Sequence, residues 1–424
     1  MRVLGRSWSI YFQISMWFRR FTALLSLGLV LLSGCGGGGS SSSVTTSSTS
    51  NTATPLAANA INVQVTGGIQ GGFSNLLMAS VTVCIHGATR CQTIDNVQVD
   101  TGSTGLRLLA SALSGLALPA IAGNSNGSTL YECADFADGV VWGQMATADV
   151  KLASELASNL PIQIIADTSA FASMPRTCSD LGSNQSSLAA LGANGILGVG
   201  LFAQDGGAYF SCTAAGSCSS TQVDTANRTS NPVASFSTDN NGVVIQLPAV
   251  GTSGTNSLSG SLIFGINTQS NNQLSSSATV ISVPATGPQA GYFSATLNGQ
   301  TLPDSFLDTG SGAYFFDDSG LPVCANNSDA KDMYCPGSSQ AASQLSLSVN
   351  LAGHAVTVNV ANASFLYQQS TNGAENAVFS NLAGTTGGVL GQSFDFGLPF
   401  FFGRTVYTGF AVPGNTSGPY YAFQ

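Results

Sequence analysis

One tetrapeptide occurs twice in the 424 residues, and its repetition limits the fold more than any other feature. Asn96-Val97-Gln98-Val99 alternates in polarity and runs into Asp100-Thr101-Gly102-Ser103. Asp304-Ser305-Phe306-Leu307 runs into Asp308-Thr309-Gly310-Ser311, 208 residues later. A run of this kind ending in Asp-Thr-Gly reads as a strand that closes in a turn. A single copy carries little information. Two copies, each followed by an apolar pair and a Gly (Ile196-Leu197-Gly198 and Val389-Leu390-Gly391), point to two halves of common build.

Composition sets the class of those halves. Only 7% of residues are charged, with three Glu and two Lys, while 50 are Gly. Glu and Lys are the residues that usually cover helix surfaces. A chain that spends its length on Gly, Ser, Thr, Val and Asn reads as many short strands joined by turns. The expected fold is all-β and two-lobed, with residues 59–270 forming the first lobe and 271–424 the second.

The N-terminus reads as an address. Arg19-Arg20 precede an apolar run that ends in Leu32-Ser33-Gly34-Cys35, too short to span a bilayer. The tetrad resembles the bacterial lipobox, which implies that Cys35 is lipidated and that residues 1–35 are a signal peptide. Met16 is an alternative start. Residues 36–58 are small and polar and read as a disordered tether. A Gly after Cys35 implies, by resemblance to Gram-negative lipoproteins, the cell envelope and its outer membrane. Four of the 11 basic residues lie in the leader, so its removal leaves seven basic against 20 acidic residues, a net of −13. That balance excludes nucleic acid as a partner, because such binding rests on Lys and Arg at phosphates.

Nine Cys are present, and acylation of Cys35 leaves an even eight for an oxidising compartment. Proximity favours Cys84–Cys91, Cys212–Cys218 and Cys324–Cys335, which leaves Cys133 for Cys178. No metal site is expected, since no Cys-x-x-Cys occurs and His86 and His354 are isolated.

The paired motifs, their spacing and the segments around them resemble the bilobal pepsin-like aspartic proteases. Asp149 to Leu152, followed by Gly195-Ile196-Leu197-Gly198, resembles the path from flap to core in that family. Gly260 to Gly265 and Gly291 to Thr296 resemble the strands that close one lobe and open the next. Within that fold the chain is similar to a bacterial branch of uncharacterised lipoproteins. The resemblance implies an endopeptidase without cofactor, acting as a monomer on a peptide or protein substrate, with Asp100 and Asp308 as catalytic carboxylates. Two carboxyl groups that share one proton can activate a water and protonate a carbonyl oxygen in turn. The resemblance also implies that Thr101 and Thr309 cross-link the two loops and that Gly102 and Gly310 let backbone approach carboxylate. Ser103 and Ser311 would donate to the outer carboxylate oxygens.

The chain departs from that family in two places. The flap position usually holds Tyr; here Phe136 aligns with it, with Tyr131 and Trp142 nearby. Arg107 stands where an aromatic residue is usual; such a cation would either lie near the acid pair and lower its pKa values or face solvent, the commoner fate of an Arg. No Lys or Arg lies between Cys35 and Ile61, so no basic prosegment is expected. Residues 201–240 read as a surface insertion, and Phe400 to Tyr407 as the apolar base of a lobe. Gly123-Asn124-Ser125-Asn126-Gly127 matches a nucleophile elbow but lacks the strand and helix that elbow needs, so it reads as a loop. A cleft that binds peptide or glycan without cutting it is the rival reading.

Overall fold

A computed structural model describes residues 57–326, 328–337, 344–411 and 418–424. The expected signal peptide, its Cys35 and nearly all of the expected tether therefore lie outside the described residues. Strands dominate, and helix is confined to single turns. One such turn, Leu188–Leu191, shows why they stay short: the Ser187 hydroxyl accepts from the Ala190 amide, and Gly192 ends the turn at φ 65°.

The chain first lays down β1 Ala60–Thr66, β2 Leu76–Cys84, β3 Cys91–Asp100 and β4 Thr104–Leu109. A long meander follows with β5 Thr129–Phe136, β6 Gly139–Leu152 and β7 Glu155–Ile165. Next come β8 Gly195–Val199, β9 Ala208–Cys212, β10 Cys218–Thr221, β11 Gly242–Leu247 and β12 Leu258–Phe264. After β13 Thr279–Ser282, the second half has β14 Phe293–Leu297, β15 Gln300–Leu307, β16 Tyr314–Phe315, β17 Gln344–Leu351 and β18 His354–Ala361. Four two-residue strands follow: β19 Ser370–Thr371, β20 Ala374–Glu375, β21 Ala383–Gly384 and β22 Asp395–Phe396. β23 Arg404–Gly409 and β24 Tyr420–Phe423 end the chain.

Among the described residues a 15-stranded sheet runs β10-β9-β5-β6-β7-β4-β8-β3-β2-β1-β12-β11-β23-β24-β13, and a seven-stranded sheet runs β18-β17-β14-β15-β22-β16-β21. The all-β, two-lobed expectation is met, and the lobes share their base. β23 pairs with β11 from Gly242 opposite Gly409 to Leu247 opposite Arg404, so the chain's last strands complete the large sheet. Burial follows strand position. β17 alternates between faces, as a sheet with one wet side should, while all six residues of β4 are buried because both its faces are covered.

Cys84–Cys91, Cys133–Cys178, Cys212–Cys218 and Cys324–Cys335 are joined, the pairing that proximity favours. The run Phe400 to Tyr407 packs as expected, with Phe400 and Phe401 fully buried. Residues 201–240 are a surface insertion only in part: residues 213–228 lie at the exposed edge of the sheet, but the segment before them does not. β9 pairs with β5 along five residues and extends the main sheet, burying Tyr209 and Phe210. Short strands among Gly and Ser look like loop in sequence; pairing to a long neighbour makes them sheet. No helix among the described residues is long and apolar enough to cross a membrane.

Candidate active site

Both Asp-Thr-Gly-Ser motifs form loops at strand ends, and each loop is backed by a second strand. β8 runs parallel to β3, with Asp100 opposite Gly198. β22 runs parallel to β15, with Leu307 opposite Phe396. The Asp308 amide donates to the Phe396 carbonyl at 3.1 Å, so Gly397 takes in the second half the place of Gly198 in the first. Both positions need glycine. A Cβ on Gly198 would lie 2.8 Å from the Gly105 nitrogen, and one on Gly397 would lie 2.0 Å from the Ala313 oxygen.

This register corrects the second apolar-apolar-Gly expectation. Val389 is 56% exposed and, with Leu390 and Gly391, lies in a turn away from any strand. The segment behind the second loop is Asp395-Phe396-Gly397. Its first residue is an acid rather than an apolar one, so a search for two apolar residues before Gly passes over it.

The loops meet through their threonines. The Thr101 amide donates to Thr309 Oγ1 at 3.1 Å, and the Thr309 amide donates to Thr101 Oγ1 at 3.0 Å. Each hydroxyl is in turn a donor, Thr101 to the Leu307 carbonyl at 3.4 Å and Thr309 to the Val99 carbonyl at 2.8 Å. The Gly102 amide reaches both acids, at 2.8 Å from Asp100 Oδ1 and 3.0 Å from Asp308 Oδ1. The Gly310 amide donates to Asp308 Oδ1 at 2.6 Å. A Cβ on Gly102 would sit 2.5 Å from Asp308 Cγ, so the close approach demands glycine there too. Ser103 Oγ donates to Asp100 Oδ2, and Ser311 Oγ donates to Asp308 Oδ2 at 2.9 Å. Gln98 crosses between halves, its amide donating to the Gly310 carbonyl at 3.0 Å. Asp100 and Asp308 are both fully buried.

Burial pushes the Asp308 carboxyl well above the usual carboxylate range, and the charge of Asp100, then that of Asp395, pushes it further. Asp395 is itself fully buried. Its carboxyl is likewise pushed well up, by burial first, with the Ser311 hydroxyl opposing and the Asp100 charge adding. The site thus brings together three carboxyl groups where sequence reasoning finds two. An aromatic column stands behind the second loop, with Phe394 stacked on Phe396 at 4.1 Å and on Phe316 at 4.5 Å.

Phe136 sits at the tip of the β5–β6 hairpin, opposite Gly139. It is 5% exposed and packs with Leu109, Val141, Ile165 and Ile196. Phe136, the residue aligned with the flap position, is thus held in apolar packing on the first half. Tyr131 and Trp142 are also committed to packing: their rings stack at 5.1 Å, and the indole N–H donates to the Ala172 carbonyl at 2.8 Å. Arg107 does not face solvent. It is fully buried, with its guanidinium paired to Asp205 and, at 3.1 Å, to Glu132. Two carboxylates supplied by β5 and by the segment before β9 neutralise it, which allows an Arg to be buried at all.

A cavity of about 390 Å³ opens between the halves, lined by Gly68, Phe73 and Ser74 on one side and Gly312, Ala313 and Tyr367 on the other. It adjoins the Asp308 loop, but neither Asp100 nor Asp308 lines it. The described residues contain no group of three or more His, Cys, Asp or Glu arranged to hold a metal ion. Gly123 to Gly127 form a turn between Ile121 and β5, as a loop reading requires.

The family described as "Protein of unknown function (DUF3443)" has a model that matches residues 55–423. No curated protein matches the chain. Among solved structures, the aspartic proteinase from Irpex lacteus is similar at 18% identity and a TM-score of 0.48, over 86% of this chain and 96% of that one.

Proposed function

The chain belongs to the DUF3443 family, whose description assigns no activity, and we propose that it is an aspartic endopeptidase anchored to the cell envelope. One observation carries the reading: two Asp-Thr-Gly-Ser loops from separate halves are locked by reciprocal threonine bonds, with both carboxyls held between them. A fold that needed only to bind would gain nothing from two buried acids in contact, since each makes the other harder to ionise.

In this reading Asp100 and Asp308 hold one proton between them. The ionised member takes a proton from a water as it attacks the peptide carbonyl, and the protonated member donates to the carbonyl oxygen. The resulting diol collapses as the C–N bond breaks, the proton taken from the water passing to the leaving amine and one diol proton returning to the pair. Ser103 and Ser311 fix the outer oxygens, so the inner oxygens face each other and the water. Neither carboxyl's proton belongs to one residue alone, because so close a pair titrates as a unit. The anchor is Cys35, carried on the tether of residues 36–58, and the target membrane is the outer membrane of a Gram-negative cell.

The test is cleavage of a mixed peptide library by disulfide-intact protein from acidic to neutral pH. Wild type is compared with Asp100→Asn and Asp308→Asn, with and without a statine-type inhibitor. Cleavage lost in both variants and in inhibitor supports the reading. Folded wild type that cuts nothing at any pH overturns it in favour of a cleft that binds peptide or glycan. Phe136, at the tip of the β5–β6 hairpin, favours that second reading, because it offers no hydroxyl there. The anchor has its own test. Mass spectrometry of the membrane fraction should find the diacyl group on Cys35, and Cys35→Ala should release the protein from the membrane.

A further inference from the structure

The strands behind the two loops match in register but differ in where the polar residue stands. In the first half Gln98 stands opposite Ile196; in the second Phe306 stands opposite Asp395. The polar member has changed strands. On the first side the polar group is Gln98, whose amide is used to hold Gly310. On the second it is a carboxyl, fully buried, with neither oxygen in a hydrogen bond of good geometry. A carboxyl placed for packing alone would be replaced by an apolar residue at no loss, as Ile196 demonstrates in the other half.

The surroundings of Asp395 say what it responds to. From the β15 loop it faces Asp308, whose outer oxygen accepts from Ser311, and the same Ser311 hydroxyl bears on Asp395. From the β3 loop it feels Asp100. On β24 stands Tyr421, a phenol raised first by burial and then by the charge of Asp308, with a smaller contribution from Asp395. Tyr314 on the neighbouring β16 is the group that Arg404 acts on. The charges acting on Asp395 are thus acids.

We propose that Asp395 is a third acid of the site, a positioning residue that shares the protons of Asp100 and Asp308 and keeps that pair singly protonated toward neutral pH. The second half of this statement rests on the endopeptidase reading; the sharing of protons does not. Three buried carboxyls release their protons in successive steps, each made harder by the anions already present. The pair works while it holds one proton, and a neighbouring acid delays the loss of that proton as pH rises.

Two measurements test this. The first needs no activity: thermal unfolding of wild type, Asp395→Asn, Asp308→Asn and the double variant from pH 4 to 8. A carboxyl whose proton is held more tightly in the folded state contributes stability at acid pH and loses it as pH rises. Wild type should therefore lose Tm relative to Asp395→Asn with rising pH, and that divergence should be measurably smaller in the Asp308→Asn background, where burial of Asp395 remains but the Asp308 charge is gone. Parallel curves, or equal divergence in both backgrounds, would overturn proton sharing. The second is the pH profile of peptide cleavage. Relative to its own maximum, the alkaline limb of Asp395→Asn should move about one pH unit toward acid, roughly tenfold in rate on the limb. An unmoved limb in a folded, active variant would overturn the assistance to the pair. Asp395→Ile, which restores the residue of the first half, should move the limb the same way. If wild type cuts no peptide, the endopeptidase reading falls with it, while the unfolding curves still decide whether the protons are shared.

Discussion

Thr101 and Thr309 each accept the other's backbone amide, at 3.1 and 3.0 Å, across 208 residues of chain. Both side chains are buried, and each also donates to a carbonyl of the opposite half, so neither loop has an independent position. The two halves therefore meet at fixed geometry where the acids stand. Because the arrangement is reciprocal, damage to either residue strands groups in both loops.

Thr309→Val should cost about 1–3 kcal/mol of stability, since it leaves the Thr101 amide and the Val99 carbonyl buried without their partner. Thr309→Ser, which keeps the hydroxyl, should recover most of that. Chemical denaturation of the two variants measures it, and a Thr101→Val/Thr309→Val double variant should fall short of the summed losses. Full additivity would show that the two threonines act independently.

Asp100→Asn and Asp308→Asn should each reduce peptide cleavage at least about a hundredfold. Stability should move the other way for Asp308. Its folded-state carboxyl is raised above the ordinary 3.8, so its stabilising proton is present below that value and lost as pH rises through the raised one. Asp308→Asn should then match wild type in acid and exceed it at neutral pH. A variant less stable than wild type by the same margin at every pH would show that Asp308 holds its proton no more tightly when folded.

Arg107→Met should destabilise the protein by about 3–5 kcal/mol, because it leaves Glu132 and Asp205 as buried, uncompensated charges. Adding Glu132→Gln and Asp205→Asn to it should restore much of the loss. Arg107→Lys should not rescue, since one ammonium cannot reproduce the fork that reaches Thr104, Glu132 and Asp205 together. Urea titrations of the four proteins decide this, and a neutral Arg107→Met would mean the network contributes nothing net.

Asp317 offers a pH dependence of opposite sign. Burial alone would raise its carboxyl, but hydrogen bonds from the Thr385 and Thr386 hydroxyls, both at 2.5 Å, and from two backbone amides hold it below the usual range. Its contribution is present above the ordinary 3.8 and disappears as pH falls through the lowered value. Asp317→Asn should thus lower Tm at pH 7, with the gap closing in strong acid. A gap that persists unchanged to pH 2 would rule out an ionised Asp317 as its source.

Much of the site was legible in the residues because its parts are short and local. A strand, an Asp, a small hydroxyl and a glycine lie within eight positions, so Asp100, Asp308 and their Thr, Gly and Ser neighbours can be read directly. Nearby cysteines likewise pair by proximity, because short loops close most readily. What escaped depends on partners far away in sequence. Asp395 is a site residue only because β22 lies beside β15 in one register; by itself Phe-Asp-Phe-Gly carries no such signal. Arg107 reads as solvent-facing until Glu132 and Asp205 arrive from separate segments, and β9 reads as loop until β5 offers it an edge.

The sequence alone determined that the chain is all-β, that it has two halves, and which two acids stand at equivalent strand ends. Tertiary structure decided how many acids the site contains, whether Arg107 is buried, and where Phe136 packs. Periodicity and turn chemistry act over a few residues and are written into the chain. Burial and the sharing of charge depend on register between strands that fold together from opposite ends of it.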